Sequence, residues 1–219
     1  MSPELLEILK GMDWKEVNTQ MALQCAPVLM DIKISNMLII DLNDKERIMD
    51  TFFGAALSFH ILYMSDQKVI YLIYDWDKLT DYLYKQENQR LLQSLGYHEY
   101  DPIRILTELS IRYQSHMQQN SPFPHELGLL LGYPLEDVLG FMINRGRNPL
   151  YTGYWKVYDH LEEKLLLFEQ YRKAKERVIR LVAQGISIKQ LISFDKNYGE
   201  NIVKGHGRGD RTEQTGLRG

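Results

Sequence analysis

Two side chains suggest nucleophilic catalysis: Cys25, the single cysteine of the chain, and His125. A thiol attacks a substrate as the thiolate, which forms near neutral pH only when a neighbouring cation or helix end lowers the pKa of the thiol. Lys33 could supply that cation, and His125 could act as the base. The alternative is a buried structural cysteine beside Pro27. We favour it because cysteines outside electropositive surroundings are usually inert.

His125 and Glu126 form the first half of the zinc-binding motif HExxH. That motif requires a second histidine four residues after the first, so that both rings lie on one helix face. Leu129 occupies the required position. The sequence therefore predicts no metal site, and a histidine at this place can equally cap a helix or pack against its end.

A basic loop contains Arg145, Gly146 and Arg147, with Lys156 close downstream. The three cations could gather an anion such as a phosphate or a carboxylate, and the glycine would let the backbone approach it. The alternative places both arginines at a helix C-terminus, where cations are favourable. Both interpretations stay open. The phosphate-binding motif GxxxxGK[ST] is absent from the sequence.

An aromatic segment follows the basic loop. In a strand over residues 154–158, alternation places Tyr154, Lys156 and Tyr158 on one face, and Trp155 and Val157 on the other. The face with two tyrosines around a lysine could stack on a planar ligand or a partner. Packing within a core or a hairpin is the favoured alternative, since aromatic residues are common in strands.

Two acidic residues, Glu136 and Asp137, follow Pro134 at a predicted helix start. Carboxylates in a first turn complement the helix macrodipole, and Glu136 could also accept from an unpaired backbone N–H. We favour this interpretation over a catalytic pair of carboxylates.

Composition excludes several classes of protein. A net charge of -3 and a pI near 6.1 give no general attraction to nucleic acid or to an anionic membrane. One cysteine cannot form an internal disulfide, which fits a reducing cytoplasm. The N-terminal residues include acids and no long apolar run, so we expect no signal peptide. No stretch of the sequence approaches the roughly 18 apolar residues that a membrane span needs.

The periodicity of the chain predicts an α+β fold, with a small sheet built around a central hairpin and covered by a helix-rich C-terminal half. Residues 56–64 and 68–75 are the strands of that hairpin, and residues 37–40 belong to a further strand. Asp101 and Pro102 begin a helix that extends to about residue 118. A helix over residues 13–24 is expected to end before Pro27.

We expect residues 1–195 to form a single globular domain. From about residue 196, glycine, polar and charged residues dominate, which predicts a disordered tail over 196–219.

Three segments resemble an uncharacterised bacterial family, domain of unknown function 3793. They are CAPVLMDIKISNML at residues 25–38, FPHELGLLLGYPLEDVLGFM at 123–142 and GYWKVY at 153–158. The resemblance extends over about residues 20–192. Lys33 and Asn36 stand where the family has a lysine and an asparagine, and we include them among the ligand-binding candidates. Many relatives have additional cysteines just before the WKVY segment, where this chain has Tyr151, Thr152 or Tyr154.

The resemblance implies no activity and no defined cofactor, and its gene context suggests iron or redox physiology. The missing cysteines disfavour a thiol or iron–sulfur function in this chain. The sequence thus predicts a cytoplasmic binding or regulatory protein. Its partner would be an anionic small molecule or a protein recognised near the basic loop and His125. The two alternatives are a thiol-dependent enzyme using Cys25 and His125, and a purely structural or interaction domain.

Overall fold

A computed structural model describes residues 3–193 of the chain. The predicted tail over 196–219 and the domain boundary near residue 195 lie outside the described residues. The described part contains a three-stranded antiparallel sheet in the order β1-β3-β2, formed by β1 (Ser35–Asp41), β2 (Leu57–Met64) and β3 (Lys68–Asp75). The predicted hairpin is confirmed as β2–β3, and the hydroxyl of Ser65 accepts from the N–H of Lys68 (3.0 Å) in its turn.

Helices make up most of the remaining described structure. In chain order they are α1 (Pro3–Lys10), α2 (Val17–Leu29), α3 (Lys45–Phe52), α4 (Trp76–Leu83), α5 (Gln86–Ser94), α6 (Pro102–Gln119), α7 (Leu127–Leu130), α8 (Leu135–Ile143), α9 (Leu161–Ala183) and α10 (Ile188–Ser193). A short 3-10 helix, Leu42–Asp44, connects β1 to α3, and a small hairpin formed by β4 (Tyr151–Thr152) and β5 (Lys156–Val157) lies between α8 and α9. The prediction of an α+β fold with a small sheet and a helix-rich C-terminal half is confirmed. No helix within residues 3–193 has both the length and the apolar character that crossing a membrane requires.

Helices pack on both faces of the sheet, because the central strand β3 has apolar side chains on both faces. Val69, Tyr71 and Ile73 enter a core that α2 builds together with α1, α9 and α10. Side chains that alternate with these enter a second core with α4, α6 and α7; they are Ile70, Leu72 and Tyr74. The alternation of a pleated strand therefore divides the apolar residues between two helical layers.

The start of α6 and the end of α2 show where local signals succeed and where they fail. The carboxylate of Asp101 accepts from the N–H of Ile103 (3.4 Å), which confirms the predicted cap. The expected end of the second helix before Pro27 is wrong, since α2 continues to Leu29. Pro27 lies in the last turn, so few helical residues follow the N–H that the proline lacks, and the amide oxygen of Asn36 accepts from the N–H of Val28 (3.2 Å).

The segment predicted as one strand over 154–158 turns back on itself. Gly153 donates its N–H to the carbonyl of Trp155 (3.0 Å), so that Tyr154 lies in the turn between β4 and β5. Trp155 and Val157 are buried together against α9, as the alternation predicted for one face. The hairpin thereby holds an aromatic wall beside α8.

Candidate functional site

A cavity of about 330 Å³ lies between α7, α8 and the β4–β5 hairpin. One group of lining side chains is apolar or aromatic and comes from four parts of the chain: Met37, Phe123, Leu127, Leu131, Tyr133, Val138, Phe141 and Trp155. Polar side chains also reach it, namely His125, Asp137, Tyr154 and Lys156. This composition, apolar with a few polar groups, is typical of sites for small molecules.

Gly128 allows the walls of the cavity to approach one another. A Cβ atom at this position would lie 3.2 Å from a methyl carbon of Val138 and 3.3 Å from the ring of Tyr133. The ring of Tyr133 in turn stacks on Trp155, with 4.8 Å between their centroids. A side chain larger than hydrogen at residue 128 would therefore have to displace one of these two walls.

Two groups that can carry positive charge line the cavity. The amine of Lys156 donates to the carbonyl of Gly146 (2.7 Å) and lies 5.7 Å from the ring centroid of Phe141. His125 is exposed, and its ring packs against Phe141 (5.3 Å) and Phe123 (5.6 Å). An ammonium has three N–H donors, so Lys156 can keep its bond to Gly146 and still donate to a ligand.

The Asp137 carboxylate lines the cavity but is fully engaged within the protein. One oxygen accepts from the indole N–H of Trp155 (2.7 Å), and the other accepts from the backbone N–H groups of Tyr158 (2.7 Å) and Asp159 (3.2 Å). The side chain is also 2% exposed. These bonds tie the hairpin and its aromatic wall to α8.

Glu136 and Glu126 are likewise committed to contacts between helices. Glu136 accepts from the amine of buried Lys164 on α9 (2.6 Å). Partial burial opposes ionisation, but this bond and the charge of Lys164 hold the pKa of the Glu136 carboxyl below its usual value. Glu126 is buried and accepts from Tyr97 (3.1 Å) and Arg112 (3.2 Å). Asp137 and Glu136 do lie in the first turn of α8, as predicted, yet their contacts extend well beyond that turn.

Cys25 is buried in α2, within the core on the first face of the sheet. Its Sγ lies 3.9 Å from the carbonyl oxygen of Met37. Burial raises the pKa of the Cys25 thiol to about 12, a shift that the nearby Lys33 only partly opposes. Cys25 does not line the cavity that contains His125, so the structure gives no support to a thiolate nucleophile and agrees with a structural cysteine.

Lys33 is also buried, and burial lowers the pKa of its ammonium to about 8. Its amine lies over the rings of Tyr133 (5.1 Å) and Tyr171 (6.0 Å). Asn36, the other candidate from the same segment, has its amide oxygen bonded to α2. Neither Lys33 nor Asn36 lines the cavity.

Of the sequence-based candidates, the cavity brings together His125, Tyr154 and Lys156. Arg145 and Arg147 are exposed on the neighbouring loop, do not line the cavity and form no ion pair with other residues of the 3–193 segment. Arg145 follows Asn144, the residue that caps α8, and has a left-handed backbone (φ 53), as residues at this position often do.

Sequence reasoning missed the apolar lining as a ligand site. The signal was present in the dense aromatic segment around Trp155, but nothing in it showed that Met37 from β1 would complete the wall.

Comparisons with known proteins give one match. A family model described as "Protein of unknown function (DUF3793)" matches residues 21–192. Neither a curated protein nor a solved structure matches the chain. Within residues 3–193 there is no group of three or more histidine, cysteine, aspartate or glutamate side chains that could hold a metal ion.

Proposed function

We propose that this chain, which belongs to the DUF3793 family, binds a small amphipathic acid in the cavity between α7, α8 and the β4–β5 hairpin. The ligand would place an apolar or aromatic body inside the cavity and an acidic group at Lys156 and His125. The observation that carries the proposal is an apolar cavity whose lining includes two basic side chains and one carboxylate already satisfied by the protein.

The walls support an apolar body for the ligand. Tyr133, Phe141 and Trp155 present aromatic surface to the cavity, and Met37 adds a flexible apolar side chain. Burying apolar surface contributes about 25 cal/mol per Å², so a ligand of naphthalene size gains several kcal/mol from such walls. Flat aromatic or short acyl bodies suit this lining better than sugars, which need many hydrogen bonds.

The charges at the cavity support an acidic group on the ligand. Lys156 donates a charge-assisted hydrogen bond to any oxyanion within reach, and His125 can add a second bond. The one lining carboxylate, Asp137, already accepts three hydrogen bonds and is therefore a poor partner for a basic ligand. Lys156 and His125 thus favour a carboxylate over an amine.

A regulatory role in the cytoplasm, and the link to iron or redox physiology, remain predictions that rest on composition and on the family resemblance. A ligand whose concentration follows the metabolic state of the cell would suit such a regulatory role. Its binding at the hairpin would change contacts of both α8 and α9. Transcript levels of iron-responsive genes in a deletion strain would test the physiological link.

Isothermal titration with 2-naphthoate and its neutral analogue 2-naphthamide tests the proposed ligand class. We expect naphthoate to bind at least about tenfold more tightly than the amide, which corresponds to about 1.4 kcal/mol for the charged contact. Lys156→Met keeps the apolar stem and removes the charge. It should weaken naphthoate binding about tenfold and leave amide binding nearly unchanged.

Arg147→Met is the matched control, because it removes a cation from the neighbouring loop that does not line the cavity. It should change naphthoate affinity by less than about twofold. His125→Trp, which crowds the cavity, should reduce binding of both compounds, whereas His98→Trp should not. If Arg147→Met weakens binding as much as Lys156→Met, the anion site lies on the loop instead. If neither naphthoate nor carboxylates from hexanoate to decanoate bind, the proposal is wrong.

A further inference from the structure

Two lysines of this protein are buried to a similar extent but in different surroundings. Lys164 is 6% exposed, and its amine bonds to the carboxylate of Glu136 at 2.6 Å. Lys33 is 8% exposed. Within residues 3–193, neither a carboxylate nor a hydrogen-bond acceptor contacts the Lys33 amine, which faces two tyrosine rings and lies near the buried thiol of Cys25.

An ammonium on a largely buried side chain without a counter-charge is costly, so the Lys33 site raises the neutral fraction of the amine. Moving a charge out of water costs several kcal/mol unless a counter-charge or hydrogen bonds replace the solvent. Ring faces offset part of that cost, by about 2 kcal/mol in a desolvated site. The group therefore loses its proton more readily than an exposed lysine, in agreement with its lowered pKa of about 8.

We propose that the Lys33 amine is a nucleophilic site that condenses with small aldehydes. The nitrogen lone pair attacks the carbonyl carbon, the π bond of the carbonyl breaks towards oxygen, and one N–H proton passes to that oxygen to give a carbinolamine. Loss of water then leaves an imine, so that one amine and one aldehyde give one imine and one water without an oxidant or reductant. This inference goes beyond ligand binding in the cavity and does not depend on it.

The surroundings of the amine favour an aldehyde over other electrophiles. A carbamate formed from carbon dioxide would place a new anion against the faces of Tyr133 and Tyr171, which attract cations and not anions. An acyl donor would also require room for a leaving group, whereas an aldehyde releases only water. A neutral imine and its protonated form both suit an aromatic surrounding.

The location links this amine to the candidate ligand site. Tyr133, which lies under the amine, also lines the cavity, and Trp155 stacks on the same tyrosine. One aromatic wall therefore separates the cavity from Lys33.

The neutral fraction sets the expected reactivity. At about pH 7.5, an amine with a pKa of about 8 is roughly one quarter neutral, whereas an ordinary lysine is roughly one part in a thousand neutral. Lower basicity reduces the reactivity of each neutral amine, and burial slows access. We therefore expect Lys33 to react with an aldehyde at least about tenfold faster than exposed lysines, a factor well below the ratio of the neutral fractions.

Competitive reductive methylation of the full-length wild-type protein tests the proposal. Trace isotopic formaldehyde with cyanoborohydride traps each imine, and peptide mass spectrometry gives a rate for every lysine. Near pH 7.5 Lys33 should react at least about tenfold faster than the exposed Lys68 and Lys189, with a half-maximal rate close to pH 8. Lys164, equally buried but paired, should react at least about tenfold slower than the exposed pair.

Two results would overturn the proposal. One is a Lys33 rate equal to or below that of Lys68 and Lys189. The other is a Lys33 rate that keeps rising to above about pH 9.5, as for an ordinary amine. Glu136→Gln removes the counter-charge of Lys164, and it should raise the Lys164 rate if burial without a counter-charge is the cause of reactivity. Because the main measurement uses unaltered protein at low modification, folding of a variant does not enter the Lys33 result.

Discussion

Replacing Asp137 with asparagine tests the contact that positions the aromatic wall. The substitution keeps the size of the side chain and one oxygen, which can still accept from the N–H groups of Tyr158 and Asp159. An amide NH2 then replaces the oxygen that accepted from the indole N–H of Trp155 at 2.7 Å, so that two donors face each other. A hydrogen bond to a charged group contributes about 1.5–3 kcal/mol, and the buried indole N–H is left without a partner.

We therefore expect Asp137→Asn to lower the free energy of unfolding by about 2–3 kcal/mol. In a chain of this size that corresponds to a fall in Tm of about 4–12 °C. Urea unfolding followed by far-UV circular dichroism measures the change without relying on tryptophan fluorescence. Trp155→Phe alone removes the donor and should cost about 1–3 kcal/mol through lost packing and an oxygen left without its donor.

The double variant shows whether the two residues act through one bond. With phenylalanine at position 155 there is no indole donor to oppose the asparagine amide. The combined loss should then be smaller than the sum of the single losses by about 1–2 kcal/mol. Strict additivity, or a loss below about 0.5 kcal/mol for Asp137→Asn, would refute the reasoning that this carboxylate holds the hairpin.

Two further predictions concern a histidine and a glycine. Burial lowers the pKa of His60, whose ring bonds to Ser110. The unfolded chain therefore binds more protons than the folded chain, and the free energy of unfolding falls as the pH drops from about 7.5 to about 5.5. His60→Gln should reduce this loss in urea titrations at the two pH values, while His98→Gln should leave it intact. A Cβ at Gly140 would lie 2.5 Å from the Cβ of Tyr158. Gly140→Ala should therefore lower the free energy of unfolding by at least about 2 kcal/mol, and a loss below about 0.5 kcal/mol would contradict this packing. Gly11→Ala, whose nearest contact is 3.5 Å away, should stay within about 0.5 kcal/mol of the wild type in the same assay.

Local chemistry made much of the fold predictable. The β2–β3 hairpin follows from two strand-like runs separated by a short polar turn, and the cap at Asp101 follows from an acid placed before Pro102. Pro27 misled because a proline normally ends a helix, whereas here burial and the amide of Asn36 hold the last turn in place. Tertiary contacts outweighed local preference at that point.

The candidate site was only partly predictable. His125 and Lys156 are short polar signals beside a glycine-containing loop, and they can be read along the chain. The cavity depends on Met37, which is distant in sequence from the other lining residues, and on the bond between Asp137 and Trp155. Such pairings depend on the packing of whole helices, which local patterns along the chain do not show.

The division of the core between the two faces of the sheet has a consequence for how the protein is made. The second core uses residues between Leu62 and Leu131, so a ribosome has supplied all of them well before synthesis ends. The first core unites Leu5 with Ile192, and it cannot close until the C-terminal helices leave the exit tunnel. One side of the nascent sheet, which only the N-terminal helices can cover at that stage, therefore stays incompletely buried for several seconds at typical elongation rates, and it is the natural place for a chaperone to bind.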